Sequence, residues 1–279
     1  MPSIASDPQP ALARETVLIT GASAGLGVEF ARLFAADGAD LVLVARREGR
    51  LRAPPDELTE HHDIAAHVFA LDLSEAGETT RLVERLASAG IEIDVLVNNA
   101  GFGARGSFAD IDPEQQVAMV RLNIGALTEL TRALLPRMIA HGRGGVLNVA
   151  SMAGFQAGPY MSVYYATKAY VLSFTEALSE EVRGRSIHVS CFCPGPVATE
   201  FAETASMADS KLFEKRAALP GPTARGGYAG FRANRVLVIP GLGNKLGVWL
   251  QRFAPRRRPP HRRKDAALTA LPSPVRPRA

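Results

Sequence analysis

The chain has 279 residues, 47% of them apolar and 22% charged, enough to bury a sizeable core as one large α/β domain or two small ones. Its formal net charge of +4 conceals an asymmetry: from Arg252 onward the balance is +8, so residues 1–251 carry about −4. That excludes a body with the overall basic character suited to nucleic acid, and no apolar run is long enough to span a bilayer.

Residues 1–14, rich in Pro and Ala, read as a mobile leader, and no basic-then-apolar stretch before Val17 marks a signal peptide. Thr16 to Thr20 is a short β-branched run, hence a first buried strand. Gly21, Gly25 and Gly27 then turn the chain into a helix that runs to about Asp37. Strand, glycine turn and helix start make a phosphate cradle, because glycine permits close backbone approach and the helix N-terminus offers free N–H groups. The same letters, Gly21-Ala22-Ser23-Ala24-Gly25, also fit the elbow of a serine hydrolase, with Ser23 as nucleophile and His188 or His261 as its partner. That elbow should follow several strands, and here only about one strand's length of chain precedes it.

Leu41 to Ala45 forms a second strand. An acid at its end would grip a ribose hydroxyl pair, but Asp40 lies at the wrong end. Arg46 and Arg47 stand at the right one, suited to a 2′-phosphate. Pro54 and Pro55 interrupt what would otherwise be one continuous helix. A third strand, Val68 to Leu73, carries Asp72, and Ser74 is placed to cap the next helix. Val95 to Val97 is a fourth strand, leading into Asn98, Asn99, Ala100 and Gly101. Asp112-Pro113-Glu114-Gln115 has the cap and proline of a helix start, and this helix is expected to run to about His141 with Asn123 inside it.

Val146 to Ala150 is a fifth strand that delivers Ser151. From Val163 an amphipathic helix carries Tyr164 and Lys168 one turn apart on one face. A phenol titrates near pH 10, and a neighbouring ammonium is expected to lower that value and tune the tyrosine for proton transfer. A sixth strand, Ile187 to Cys193, ends at Pro194-Gly195-Pro196, and Val236 to Ile239 makes a seventh. Cys191 and Cys193 share one face of their strand and cannot bridge to each other. They read as core thiols in a reducing, cytoplasmic compartment, and no metal site is expected. Strands alternating with helices mean a parallel sheet whose ligands bind beyond the carboxyl ends of its strands. Gly21, Arg46, Asp72, Asn98, Ser151 and Pro194 all fall at such ends.

Five motifs in order, Thr20 to Gly27, Asn98-Asn99-Ala100-Gly101, Ser151, Tyr164 with Lys168, and Pro194-Gly195, resemble those of the short-chain dehydrogenase/reductase family over residues 14–200. The resemblance implies an α/β, Rossmann-like doubly wound sheet of seven parallel strands flanked by helices, within one domain over residues 15–253. It also implies an oxidoreductase that moves a hydride between NADP(H) and a carbonyl or secondary alcohol. Asn123, Ser151, Tyr164 and Lys168 match the catalytic tetrad: Tyr164 as acid, Ser151 orienting the carbonyl oxygen, Lys168 lowering the tyrosine pKa and holding the ribose, Asn123 keeping a water in the relay. Cofactor contacts are implied at Gly21, Ser23, Gly25, Leu26, Gly27, Arg46, Asp72, Asn98, Ala100, Gly101, Tyr164, Lys168, Pro194, Gly195, Val197 and Thr199.

The motifs stop near residue 200, and residues 200–232 fall where the family places a variable substrate lid. Met152, Phe155, Tyr160, Phe201 and Phe213 are the candidates for an apolar substrate wall. Residues 254–279, rich in Pro and Arg, are expected to be disordered. Contact of this tail with an anionic membrane surface, helped by Trp249 and Phe253, is the other option. A homo-oligomer is expected, and the non-enzymatic alternative is a cofactor sensor or scaffold that keeps the fold without turnover.

Overall fold

Short β-branched and leucine-rich runs with no polar alternation can only be satisfied when both faces of a strand are covered. The computed structural model describes residues 14–47, 49, 53–201 and 217–251. The expectations for the leader before Arg14, for Phe213 and for the tail over residues 254–279 lie outside the described residues. Seven strands form one parallel sheet, most of them runs of this kind: β1 (Thr16–Thr20), β2 (Asp40–Ala45), β3 (Ala66–Ala70), β4 (Val95–Asn98), β5 (Gly145–Val149), β6 (His188–Phe192) and β7 (Leu237–Val238). The strand order is β3-β2-β1-β4-β5-β6-β7, so the winding reverses between β1 and β4. A crevice opens at such a reversal, beyond the carboxyl ends of the strands.

Among the described residues the main α-helices are α1 (Leu26–Ala36), α2 (Ala53–His62), α3 (Glu78–Ser88), α4 (Pro113–Val120), α5 (Leu127–His141), α6 (Ser162–Glu181), α7 (Pro220–Arg232) and α8 (Leu242–Gln251). Alternate residues of each strand feed two separate cores. Val17, Ile19, Leu41 and Leu43 pack with Phe30 and Phe34 of α1 and Phe231 of α7. Leu18, Val42, Leu96 and Val146 pack on the other face with Leu82 of α3, Leu130 of α5 and Leu178 of α6. At roughly 25 cal/mol per Å² of apolar surface, this two-sided burial is the main force holding the sheet.

Several boundaries differ from the sequence reading. β3 ends at Ala70, which leaves Asp72 in the following loop. Ser74 donates both its N–H (3.0 Å) and its hydroxyl (2.6 Å) to Asp72 Oδ1. It is therefore occupied in a side-chain-closed turn, and α3 starts later, after Gly77. Pro54 and Pro55 sit in the first turn of α2, where N–H groups have no intrahelical acceptor to lose. Asp112 caps α4 as expected, accepting a hydrogen bond from the Glu114 N–H. The single long helix expected after it does run to His141, as α4 and α5 joined without a break by a π-helical segment at Arg121–Ala126. Such widened turns reorient a few side chains inside an otherwise regular helix, and Asn123 lies in this one.

Candidate active site

The glycine turn after β1 is built around a small polar knot. The Thr20 hydroxyl accepts hydrogen bonds from the N–H groups of Asn99 (3.0 Å) and Ala100 (2.9 Å). The Asn99 side chain donates in return to the carbonyls of Thr20 (2.9 Å) and Gly21 (3.2 Å). Gly21 (φ +67°) and Gly25 (φ +58°) take backbone conformations that disfavour a side chain. A Cβ at Gly27 would lie 2.2 Å from the Gly21 carbonyl oxygen. Gly27 thus permits helix–strand packing and does not line the cleft, whereas Gly21, Ser23, Gly25 and Leu26 do. The start of α1 carries no side-chain cap, so its first N–H groups are available to an anion.

Beside this turn stand the two arginines after β2. Arg46 Nη1 lies 3.6 Å from Asp72 Oδ2. Arg47 Nη2 lies 2.7 Å from Glu200 Oε2 and donates to the Ser23 hydroxyl at 3.5 Å. All five side chains line one cavity of about 780 Å³. Glu200 had no signal in the sequence, since its partner is 153 residues away.

At the other end of the cavity, β5 delivers Ser151, whose hydroxyl accepts from the Ala153 N–H at 3.1 Å. Facing it on α6 are Tyr164 and Lys168, 8% and 6% exposed. The Lys168 ammonium donates to the Val149 carbonyl at 2.8 Å and lies 5.9 Å from the centre of the Tyr164 ring. Burial pushes the Tyr164 phenol up to about 12, with a hydrogen bond to Ser151 pulling the other way. This reverses the expected lowering by Lys168: desolvation of the phenolate outweighs an ammonium already engaged by a backbone carbonyl. Burial also brings Lys168 down to about 8, opposed by Cys191 and Cys193. Those two thiols are buried and unbridged, 3.6 Å apart, as their spacing predicts.

Two predicted asparagines stand behind the cavity rather than in its wall. Asn123 donates to the Phe102 carbonyl (3.0 Å) and the Thr167 hydroxyl (3.0 Å) and accepts from the Phe102 N–H (3.2 Å). Its amide group clamps the loop after β4 onto α6. Asn98 donates to Thr131 (3.1 Å) and Asn148 (2.9 Å), and Asn148 donates onward to Thr175 (3.0 Å). This relay ties β4 and β5 to α5 and α6 from beneath. Asn99, one residue on, is the one that lines the cleft.

Pro194, Gly195, Val197 and Thr199 line the cavity, as do Ala100 and Gly101. The apolar lobe beside Tyr164 is formed by Phe102, Met152, Met161, Tyr165 and Phe201. Of the other wall candidates, Phe155 turns away to pack on Leu127 and Val171, and Tyr160 (φ +65°) closes a turn whose carbonyl accepts from Gly106. One wall was not foreseen: α8 brings Gly243, Asn244 and Gly247 over Gly195. The hydrolase alternative fails on geometry for His188. Ser23 lies at the carboxyl edge of the sheet, while His188 begins β6 at the opposite edge, against Phe231; His261 is outside the described residues.

A sheet of this topology, with this glycine turn and a Ser–Tyr–Lys group at its carboxyl edge, defines a dinucleotide-type oxidoreductase cleft. The family model of the short chain dehydrogenases matches residues 15–209, and the chain belongs to the short-chain dehydrogenase/reductase family. Ketoacyl reductase HetN of Nostoc sp. is 36% identical over 187 residues, 67% of this chain and 65% of that relative, just under two thirds of its length. Sulfoacetaldehyde reductase 2 of Chromohalobacter salexigens is 36% identical over 189 residues, 67% of this chain and 74% of the relative. Among solved structures, a short-chain dehydrogenase from Sphingobium yanoikuyae in complex with NADPH superposes with a TM-score of 0.76 at 31% identity, over 89% of this chain and 99% of that one. The bulky-bulky ketone specific alcohol dehydrogenase from Comamonas testosteroni superposes with a TM-score of 0.73 at 28% identity, over 89% and 98%.

The low Lys168 value has a consequence for stability. Below pH about 8 folded and unfolded chains both hold this proton; from about 8 to 10.5 only the unfolded chain does. Unfolding free energy therefore rises with pH across that window. Between pH of about 7.5 and 9.5 the wild type should gain about 2 kcal/mol relative to Lys168→Met, read from urea unfolding at both values. Parallel profiles for the two proteins would mean that the ammonium is solvated.

Proposed function

We propose that this chain transfers a hydride between NADP(H) and the carbonyl or secondary alcohol of a hydrophobic substrate. The observation that carries the reading is that one cavity joins two chemistries. At one end are an uncapped helix start, Ser23 and two arginines. At the other, Ser151, Tyr164 and Lys168 border an apolar lobe.

The residues present fit a nicotinamide dinucleotide phosphate, which supplies the hydride when bound. The N–H groups at the start of α1 suit its diphosphate, and Arg46, Arg47 and Ser23 suit a 2′-phosphate. The protein's own part is the proton. At neutral pH a phenol titrating near 12 is fully protonated, so Tyr164 Oη holds the proton that the carbonyl oxygen receives. The Ser151 hydroxyl orients that oxygen beside it. Lys168, charged below about 8, steadies the phenolate that remains. Asn123 acts through position, keeping Phe102 and the β4 loop against α6.

Two partners belong to this reading. Exposed Phe108, Val117 and Val120 around α4 support packing against a second copy. Exposed Leu246, Trp249 and Leu250 on α8, followed by the basic sequence from Arg252, support contact with an anionic membrane surface. Light scattering of the full chain, alone and with phosphatidylglycerol vesicles, should find an oligomer in the first case and vesicle-bound protein in the second. A monomer that ignores the vesicles removes both.

With NADPH and a panel of hydrophobic aryl ketones, Tyr164→Phe should lower turnover on the order of 10²–10⁴-fold while NADPH still binds. Tyr165→Phe should be mild. Tight cofactor binding without turnover on any carbonyl would instead favour a sensor, and the reverse pattern of the two tyrosines would overturn the assignment of roles.

Arg46→Ala should weaken NADPH by about tenfold to a hundredfold and barely affect NADH, since hydrogen bonds to charged groups are worth about 1.5–3 kcal/mol. Ala45→Asp should move preference toward NADH. Equal use of NADH and NADPH by the wild type would reject this cofactor assignment.

A further inference from the structure

The arginine end of the cavity contains an acid whose placement is over-determined. Glu200 lies between two anchored neighbours. The Thr199 methyl is seated on Gly25, where an added Cβ would come within 2.8 Å of it. The Phe201 ring rests 5.3 Å from that of Tyr164 and fills the space beside Gly103. The Phe201 N–H also donates to the Thr199 hydroxyl at 3.4 Å. With both neighbours fixed, the Glu200 carboxylate reaches across the cleft to Arg47 at 2.7 Å, and the same guanidinium nitrogen reaches Ser23. Ser23, Arg46 and Arg47 are the groups suited to the cofactor's 2′-phosphate, so Glu200 places a negative charge where that phosphate would bring its own.

Resting on the oxidoreductase reading above, we propose that Glu200 is a specificity-determining residue: an internal counter-ion that the 2′-phosphate must displace from Arg47. Two anions do not share one guanidinium without mutual repulsion, so the phosphate engages Arg47 only as Glu200 withdraws. The pair is half-exposed on both sides, at 46% and 40%, which keeps it weak enough to break. Glu200 thereby lowers the affinity for NADPH and leaves NADH, which brings no 2′-phosphate, unaffected. Arg46 has a different counter-ion, Asp72 at 3.6 Å, so the Arg47 effect can be isolated by mutation.

The test is a double-mutant cycle on the full chain, with dissociation constants for NADPH and NADH taken from reduced-nicotinamide fluorescence. Glu200→Gln keeps the shape and removes the charge. It should tighten NADPH by about two- to fivefold, the scale of an exposed ion pair, with no change for NADH. In the Arg47→Ala background the same substitution should change neither. Three results overturn the proposal: NADPH unchanged or weakened, both cofactors shifted equally, or the gain persisting without Arg47. A wild type that binds neither dinucleotide refutes the oxidoreductase reading itself. A wild type that binds NADPH while Glu200→Gln has no effect refutes this inference alone.

Discussion

Where β1 and β4 part, the Thr20 hydroxyl takes two backbone N–H groups from the end of β4 and the Asn99 amide reaches back to two carbonyls of the glycine turn. These bonds satisfy backbone groups that the sheet ladder no longer reaches, and an unpaired buried group would cost about 1–3 kcal/mol. The knot also brings the two strand ends so close that Gly21 would meet Ala100 at 2.9 Å and Gly27 would meet the Gly21 carbonyl. Only glycine fits there. The start of α1, the wall at Ala100 and Gly101, and so the reach from one end of the cavity to the other, all follow from this contact.

Beneath the cavity, polar side chains do work that apolar packing could not. Asn98, Asn148, Thr131 and Thr175 are all nearly or fully buried and hand hydrogen bonds from strand to strand to helix. A half-satisfied network in this low-dielectric setting would be worse than none. Satisfied, it sets the register of α6 against β5, and with it the position of Tyr164 and Lys168 relative to Ser151. Asn123 repeats the principle one layer up, and the π-helical segment that carries it turns it toward Phe102 and Thr167.

The two ends of the cavity use charge in opposite regimes. Tyr164 and Lys168 are buried, so desolvation governs their protonation and keeps the phenol an acid. Arg46 and Arg47 stand in water, each with a carboxylate beside it. There a charge pair is weak and exchangeable, which suits a seat that must accept and release a ligand.

The sequence by itself determined whatever depends on neighbours a few residues apart. β-branched runs marked the strands, the Gly21–Gly27 spacing marked the turn into α1, Asp112 and Pro113 marked the start of α4, and four residues between Tyr164 and Lys168 placed both on one helical face. These are properties of local backbone preference and periodicity, and they were enough for the sheet and for most of the cleft's lining. Only the tertiary structure decided what each polar group meets. It gave Arg47 the carboxylate of Glu200, committed Asn123 to three hydrogen bonds, turned Phe155 away and brought α8 over Gly195. It also reversed the direction expected for the Tyr164 phenol. The physical reason is the same in each case: a partner's identity and the loss of water around a group are set by distant segments enclosing it, and no spacing along the chain encodes either.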